Sequence, residues 1–291
     1  MSQNGWNQFG WEGISFLKPE EWELGKVEGA EAKGYLRLDD HLFSRVEIRW
    51  QIGRWEEKIL TKHLGELERK AKRQKIDFNI LAKRDYSRKE AEGRYFIWEG
   101  DVRAVNLMTW CKKCRRLVLV RVLGERGEEI EEKAERLFNS LRDHPHNKNL
   151  WAVFGFCFTT PLELRLNRHS FLSGHLRFDF ERGGDSFIFE RLSVASIILK
   201  GKSLSQWARE FCQAQFKEVD IGVSYPREGS PEEGVYITGR EHGKVKFFKK
   251  RFFKSLFWHC PRTNHLFGAA ELVKKIEETS LDSLVPGVTC H

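Results

Sequence analysis

Trp110-Cys111-Lys112-Lys113-Cys114-Arg115-Arg116-Leu117 lies between two runs, residues 102–110 and 117–123, in which apolar and polar side chains alternate. Alternation with period two marks a strand with one buried face. The stretch therefore reads as the tip of a β-hairpin, with Cys111 and Cys114 flanking a two-residue Lys112-Lys113 turn. A blurred copy follows in the second half as Trp258-His259-Cys260-Pro261-Arg262-Thr263-Asn264-His265-Leu266.

The copy is one of several. Phe16 to Leu24 matches Phe158 to Leu166, each with a proline turn. Gly34-Tyr35-Leu36-Arg37-Leu38-Asp39 matches Gly174-His175-Leu176-Arg177-Phe178-Asp179, and Glu92-Gly93-Arg94-Tyr95-Phe96-Ile97 matches Glu233-Gly234-Val235-Tyr236-Ile237-Thr238. Trp110 pairs with Trp258, and Asn139-Ser140-Leu141 with Asp282-Ser283-Leu284. The order is kept and the offset is nearly constant, which predicts a tandem duplication with repeats over 9–145 and 150–291. Two copies are too few for a solenoid.

Between the hairpins the period changes. Ile59, Leu60, Leu64, Leu67 and Ala71 fall at helical spacing, so residues 54–74 are expected to form an amphipathic helix on a sheet. Residues 128–141 carry Ile130, Ala134, Leu137 and Leu141 on one side and predict a second helix. Residues 84–93 read as a polar loop. Asp143 to Asn149, broken by Pro145, reads as a linker; its His144 and His146 could bind metal, but an exposed linker explains them better. Hairpin-connected strands with inserted helices imply an α+β fold, each repeat a mainly antiparallel sheet flanked by helices. No Gly-x-Gly-x-x-Gly or Walker-type loop is present, which argues against nucleotide binding by those routes.

The order of elements resembles the PsbP-like α/β/α sandwich. The resemblance is carried by the strand–Pro-turn–strand openings, the Gly-x-Leu-Arg-x-Asp strand, the middle helix, the last long hairpin and the closing helix. Members of that fold are mostly binding or accessory proteins. The resemblance thus implies a non-enzymatic protein acting through contacts with a protein or a larger assembly. None of their functional residues can be placed on this sequence.

Composition bounds the rest. The 291 residues carry 50 Lys and Arg against 42 Asp and Glu, a net charge of +8, which favours acidic or phosphate-bearing partners. Six cysteines are too few for a disulfide scaffold, and the polar start lacks the apolar core of a leader peptide, so a reducing, cytoplasmic setting is expected. No apolar run approaches membrane-spanning length, and no membrane partner is expected.

Two places carry chemistry. Cys111 and Cys114 have the spacing of half a tetrahedral metal site, for which zinc is the usual ion. The expected partners are His259, Cys260 and His265 of the second hairpin. As an alternative, Lys112, Lys113, Arg115 and Arg116 would favour a reactive thiolate. The second place is the run 244–254, in which Lys244, Lys246, Lys249, Lys250, Arg251 and Lys254 interleave with Phe247, Phe248, Phe252 and Phe253. Cations between aromatics suit single-stranded nucleic acid, or else form the solvated edge of a strand.

Overall fold

The alternating runs form strands, and they do so along most of the chain. The computed structural model describes residues 5–54, 56–226, 234–242, 251–275, 281–285 and 288. It divides into two compact units, Met1–Phe154 and Gly155–His291. The first contains β1 (Trp6–Trp11), β2 (Ile14–Pro19), β3 (Glu23–Ala30), β4 (Lys33–Asp39), β5 (Ser44–Ile52), α1 (Glu57–Gln74), β6 (Asn79–Arg88), β7 (Ala91–Glu99), β8 (Val102–Cys111), β9 (Arg116–Glu125), α2 (Glu131–Ser140) and β10 (Lys148–Val153). The second contains β11 (Phe156–Pro161), β12 (Arg165–Leu172), β13 (His175–Arg182), β14 (Asp185–Ser193), α3 (Ala195–Ile198), α4 (Leu204–Gln215), β15 (Val219–Pro226), β16 (Gly234–Glu241), β17 (Phe252–Cys260), β18 (His265–Val273) and α5 (Leu281–Leu284).

The expected α+β sandwich, with helices flanking each sheet, is corrected to a β-rich fold, with three antiparallel sheets among the described residues. Among the described residues, α3 is four residues long and α5 spans Leu281–Leu284. Strands also appear where none was expected. Residues 84–93 are no loop: β6 pairs along its length with β7, from Asn79↔Glu99 to Arg88↔Ala91. As an edge strand β6 is almost wholly exposed, so it carries no apolar alternation to betray it.

Each unit has a seven-stranded sheet. The order is β3-β4-β5-β9-β8-β7-β6 in the first and β12-β13-β14-β18-β17-β16-β15 in the second, the same arrangement counted along each unit. Beside the first, β10, β1 and β2 lie in a smaller sheet.

The first seven-stranded sheet has two unlike faces, and register assigns them. One face presents Leu36, Leu38, Val46, Ile48, Trp50, Val118, Val120 and Val122, all buried. On this side α2 packs, with Phe138 edge-on to Tyr95 at 6.2 Å. The other face bears α1, whose Leu60 and Leu64 cluster with Phe96, Met108 and Leu117. Across it runs a polar row, Arg37↔Glu47↔Arg121↔Asn106.

In the second unit α4 covers its sheet more fully. It starts at a reciprocal cap, Ser203 Oγ accepting from Gln206 N and Gln206 Oε1 from Ser203 N. Its Trp207, Ala208 and Cys212 join a core with Ile188, Leu192, Ile237, Phe253 and Phe257.

The sheets also correct one residue match. Trp110 belongs to the α1 side, packed on that cluster with its indole N–H on Gly53 O at 2.9 Å. In β17 it is Phe257 that lies in the α4 core, and Trp258 points the other way, stacked on Phe267. Neighbours in a strand face opposite sides, so matching the two tryptophans slips the register by an odd number of residues.

Candidate metal centre

The Cys111–Cys114 hairpin tip is built by β8 and β9. The turn is four residues long, Lys112 to Arg115, rather than two: Arg115 takes the left-handed conformation at φ 59 and its N–H donates to Cys111 O at 2.9 Å. This wraps Cys114 back over Cys111. Asp143 and His144 approach from the segment after α2. That segment is pinned at its start, because Ser15 and Arg142 exchange backbone hydrogen bonds of 2.9 and 2.8 Å. A Cβ on Gly13 would come within 3.0 Å of Pro145 Cδ, so the chain is close-packed there.

Four ligand-bearing side chains therefore meet. Cys111, Cys114, Asp143 and His144 each bring one donor atom, and these atoms all lie within 4.8 Å of one another. Cys111 Sγ is 3.5 Å from His144 Nδ1, Cys114 Sγ donates to Asp143 Oδ2 at 3.4 Å, and His144 Nδ1 is 3.0 Å from Asp143 Oδ1. Cys111 is buried; the Asp143 and His144 side chains are 16% and 15% exposed. The group could hold a metal ion.

The surroundings hold this arrangement. Arg116 is buried and donates to three carbonyls: Glu12 O at 3.0 Å, Asp143 O at 2.8 Å and Glu31 O at 2.9 Å. Glu90 lies on the far side of His144, its Oε2 3.7 Å from Nε2.

Two of the basic residues at the tip are engaged away from Cys114. Lys112 pairs with Glu92 at 3.1 Å, and Arg116 is turned to its carbonyls. Burial pushes the Cys114 thiol up to about 12, with the Asp143 carboxylate and Cys111 adding to it against the Arg116 N–H. A thiol held that high is the reverse of a redox-activated one.

The other expected ligands belong to the second unit. His259, Cys260 and His265 sit at the β17–β18 tip, with Cys260 opposite His265. His259 Nε2 is buried without a hydrogen bond, Cys260 is buried, and His265 lies edge-on to Phe267. In place of these three, the structure groups Asp143 and His144 with the cysteine pair. The signal was present in the sequence as His144 beside Asp143, but a polar segment with proline resembles a linker until its docking is seen.

Of the basic run, Lys244, Lys246, Lys249 and Lys250 lie outside the described residues. Arg251 is engaged by Glu241 through two contacts of 3.0 and 2.6 Å, and Lys254 lies over the Tyr236 ring at 5.0 Å.

A second polar assembly lies on the α1 face of the first unit. Glu47 accepts from Arg121 at 3.0 Å and from the Tyr35 hydroxyl at 3.2 Å, and Arg121 also donates to Asn106 Oδ1 at 3.1 Å. His63 Nε2 is 3.4 Å from Arg121 Nη2. Burial, then the Arg121 charge, holds His63 down to about 4 from 6.5. Between those values the unfolded chain binds the proton more tightly. The stability contributed by neutral His63 is thus complete above pH 6.5 and is lost as pH falls through 4. Glu12 works in the opposite sense, since burial and Glu31 raise it to about 7. Chemical denaturation of His63→Gln and wild type at matched pH isolates the histidine: the variant is expected to lose less stability between about pH 6.5 and pH 4. Equal losses would show that His63 does not titrate with folding.

No family model matches the chain, and no curated protein matches it. Among solved structures it is similar to the apo structure of immunity protein TplEi of the T6SS from Pseudomonas aeruginosa, at 10% identity over 98% of this chain and 97% of that one, with a TM-score of 0.34. A likeness of that size carries no functional argument, and the chemistry has to be read from this chain's own residues.

Proposed function

We propose that the chain is a non-enzymatic binding protein, built from two copies of one unit, whose first unit is closed by a zinc clasp at Cys111, Cys114, Asp143 and His144. The observation that carries the clasp is the meeting of four donors from two distant segments. Two thiolates, an imidazole and a carboxylate suit a tetrahedral, borderline-soft cation, and Zn²⁺ is the commonest of these. Zn–S bonds of about 2.3 Å place two sulfurs about 3.8 Å apart in a tetrahedron, so the donors need only a small closure. His144 would bind through Nδ1 with its proton on Nε2, toward Glu90, the usual outer partner of a zinc histidine. Four protein ligands leave no open position for substrate, which favours a structural role over catalysis.

The duplication is supported by the common strand order of the two sheets and by matched side chains. Arg37 pairs with Asp39 at 2.7 Å as Arg177 does with Asp179 at 2.8 Å. Tyr35 reaches Glu47 as His175 reaches Glu190. On this proposal the protein works in a reducing cytoplasm, with a protein as partner. No described helix is long and apolar enough to cross a membrane.

Elemental analysis tests the clasp. Protein produced with zinc is expected to retain about one Zn²⁺ per chain, and Cys111→Ser/Cys114→Ser none. Cobalt substitution should give the intense visible bands of tetrahedral thiolate coordination. Chelation of the wild type should lower its melting temperature, and zinc should restore it. A metal-free wild type whose melting is indifferent to added zinc would overturn the clasp.

A further inference from the structure

The two units treat the same sheet face differently. In the second, Ile188 and Leu192 of β14 are buried in the α4 core. In the first, α1 packs over β7, β8 and β9, and no residue of β3, β4 or β5 joins its cluster. A groove of about 850 Å³ remains between α1 and those three strands. That is the volume of a site for a small organic molecule.

The chemistry of the groove is two-sided. Ile59 of α1 and Leu119 of β9 are half-buried and form an apolar strip, with Met108 and Leu117 buried beneath. Around the rim the charges do not balance. Glu28 is paired with Lys26 at 2.8 Å, and Glu47, which lines the neighbouring pocket, accepts from Arg121 and Tyr35. Lys33, Arg49 and Lys62 are exposed, line the groove and form no ion pair among the described residues; Glu66 is the lining carboxylate left outside one. Arg49 is held over the Tyr35 ring at 5.4 Å, which fixes its guanidinium at the groove mouth. Neutral His63 beside it adds no charge of its own.

We propose that this groove binds an amphipathic anion of the alkyl- or aryl-carboxylate class. The carboxylate would be taken between Arg49 and Lys62, and the apolar body would lie along Ile59 and Leu119. Charge decides the class. A cationic amphiphile would meet three unpaired cations against one carboxylate, and a purely apolar ligand would leave those cations unused. This site is independent of the zinc clasp and of any protein partner.

Calorimetric titration of the full chain with decanoate, and separately with decylammonium, tests the assignment. Decanoate is expected to bind with one site per chain, and decylammonium at least about tenfold more weakly. Arg49→Glu/Lys62→Glu changes only exposed positions, so its melting temperature should match wild type. It should weaken decanoate by about tenfold or more and reverse the preference between the two ligands. Leu119→Asn should weaken decanoate while leaving the preference for the anion intact. Equal binding of both chains, no binding of either, or decanoate binding unaltered by the charge reversal would each overturn the proposal.

Discussion

Phe158→Ala is expected to destabilise the second unit by about 3–5 kcal/mol. Phe158 is fully buried and stacks on Phe189 at 4.6 Å, with Phe156, Phe178 and Phe180 at 4.9, 5.1 and 6.1 Å around it. The substitution removes the transfer energy of the ring and leaves a cavity. Its walls are other rings, stiff side chains that cannot collapse to fill the space. Urea unfolding measures the loss. Phe158→Leu keeps more of the volume and should cost distinctly less. A loss below about 1 kcal/mol for the alanine variant would mean that the cluster relaxes around the missing ring.

Arg116→Met should cost about 3 kcal/mol and weaken zinc binding. The side chain is 5% exposed, and its guanidinium supplies the donor for three carbonyls belonging to the β1–β2 turn, the β3–β4 turn and the segment after α2. Methionine fills the volume but donates nothing. Three acceptors then lose a charge-assisted bond, each worth about 1 kcal/mol or more. The same loss frees Asp143 and His144, and outer partners of this kind are worth about 10–100-fold in metal affinity. Denaturation with chelator present reads the first effect, and competition with a zinc indicator the second. Arg116→Lys, a single point donor, should recover only part of either. If Arg116→Met leaves zinc affinity unchanged, the Ser15–Arg142 bridge alone holds the ligands and Arg116 has no positioning role.

Much of the strand content was legible because half-buried strands announce themselves. Gly34 to Asp39 and Arg45 to Trp50 alternate in the sequence, and β4 and β5 pair from Lys33↔Gln51 to Asp39↔Ser44. α1 and α2 were legible from their apolar spacing, and their observed bounds fall inside the expected ones. β6 was not legible, since an exposed edge strand carries no burial pattern. The balance between helix and sheet was misjudged for a related reason: a strand is recognised only where one of its faces is buried, so the strand content was undercounted.

For the site, the cysteine pair was legible and its partners were not. Cys111 and Cys114 are close in sequence, and spacing alone brings their sulfurs together. Asp143 and His144 are about thirty residues away, and their local sign is no more than a histidine beside an aspartate in a polar segment broken by proline. They come to face the thiols because Arg116 and the Ser15 bridge dock the segment that carries them. The choice of His259, Cys260 and His265 followed sequence similarity between the two hairpins, and similarity carries no information about proximity.

The sequence by itself therefore determined the local elements, the hairpin with its two thiols and the excess of positive charge, because periodicity and short spacing are properties of neighbouring residues. Only the tertiary structure decided which distant side chains face those thiols, which face of the first sheet stays uncovered beside α1, and on which side each tryptophan lies. Those depend on strand register and on long-range docking. A shift of one residue in register exchanges the two faces while leaving the sequence pattern almost unchanged.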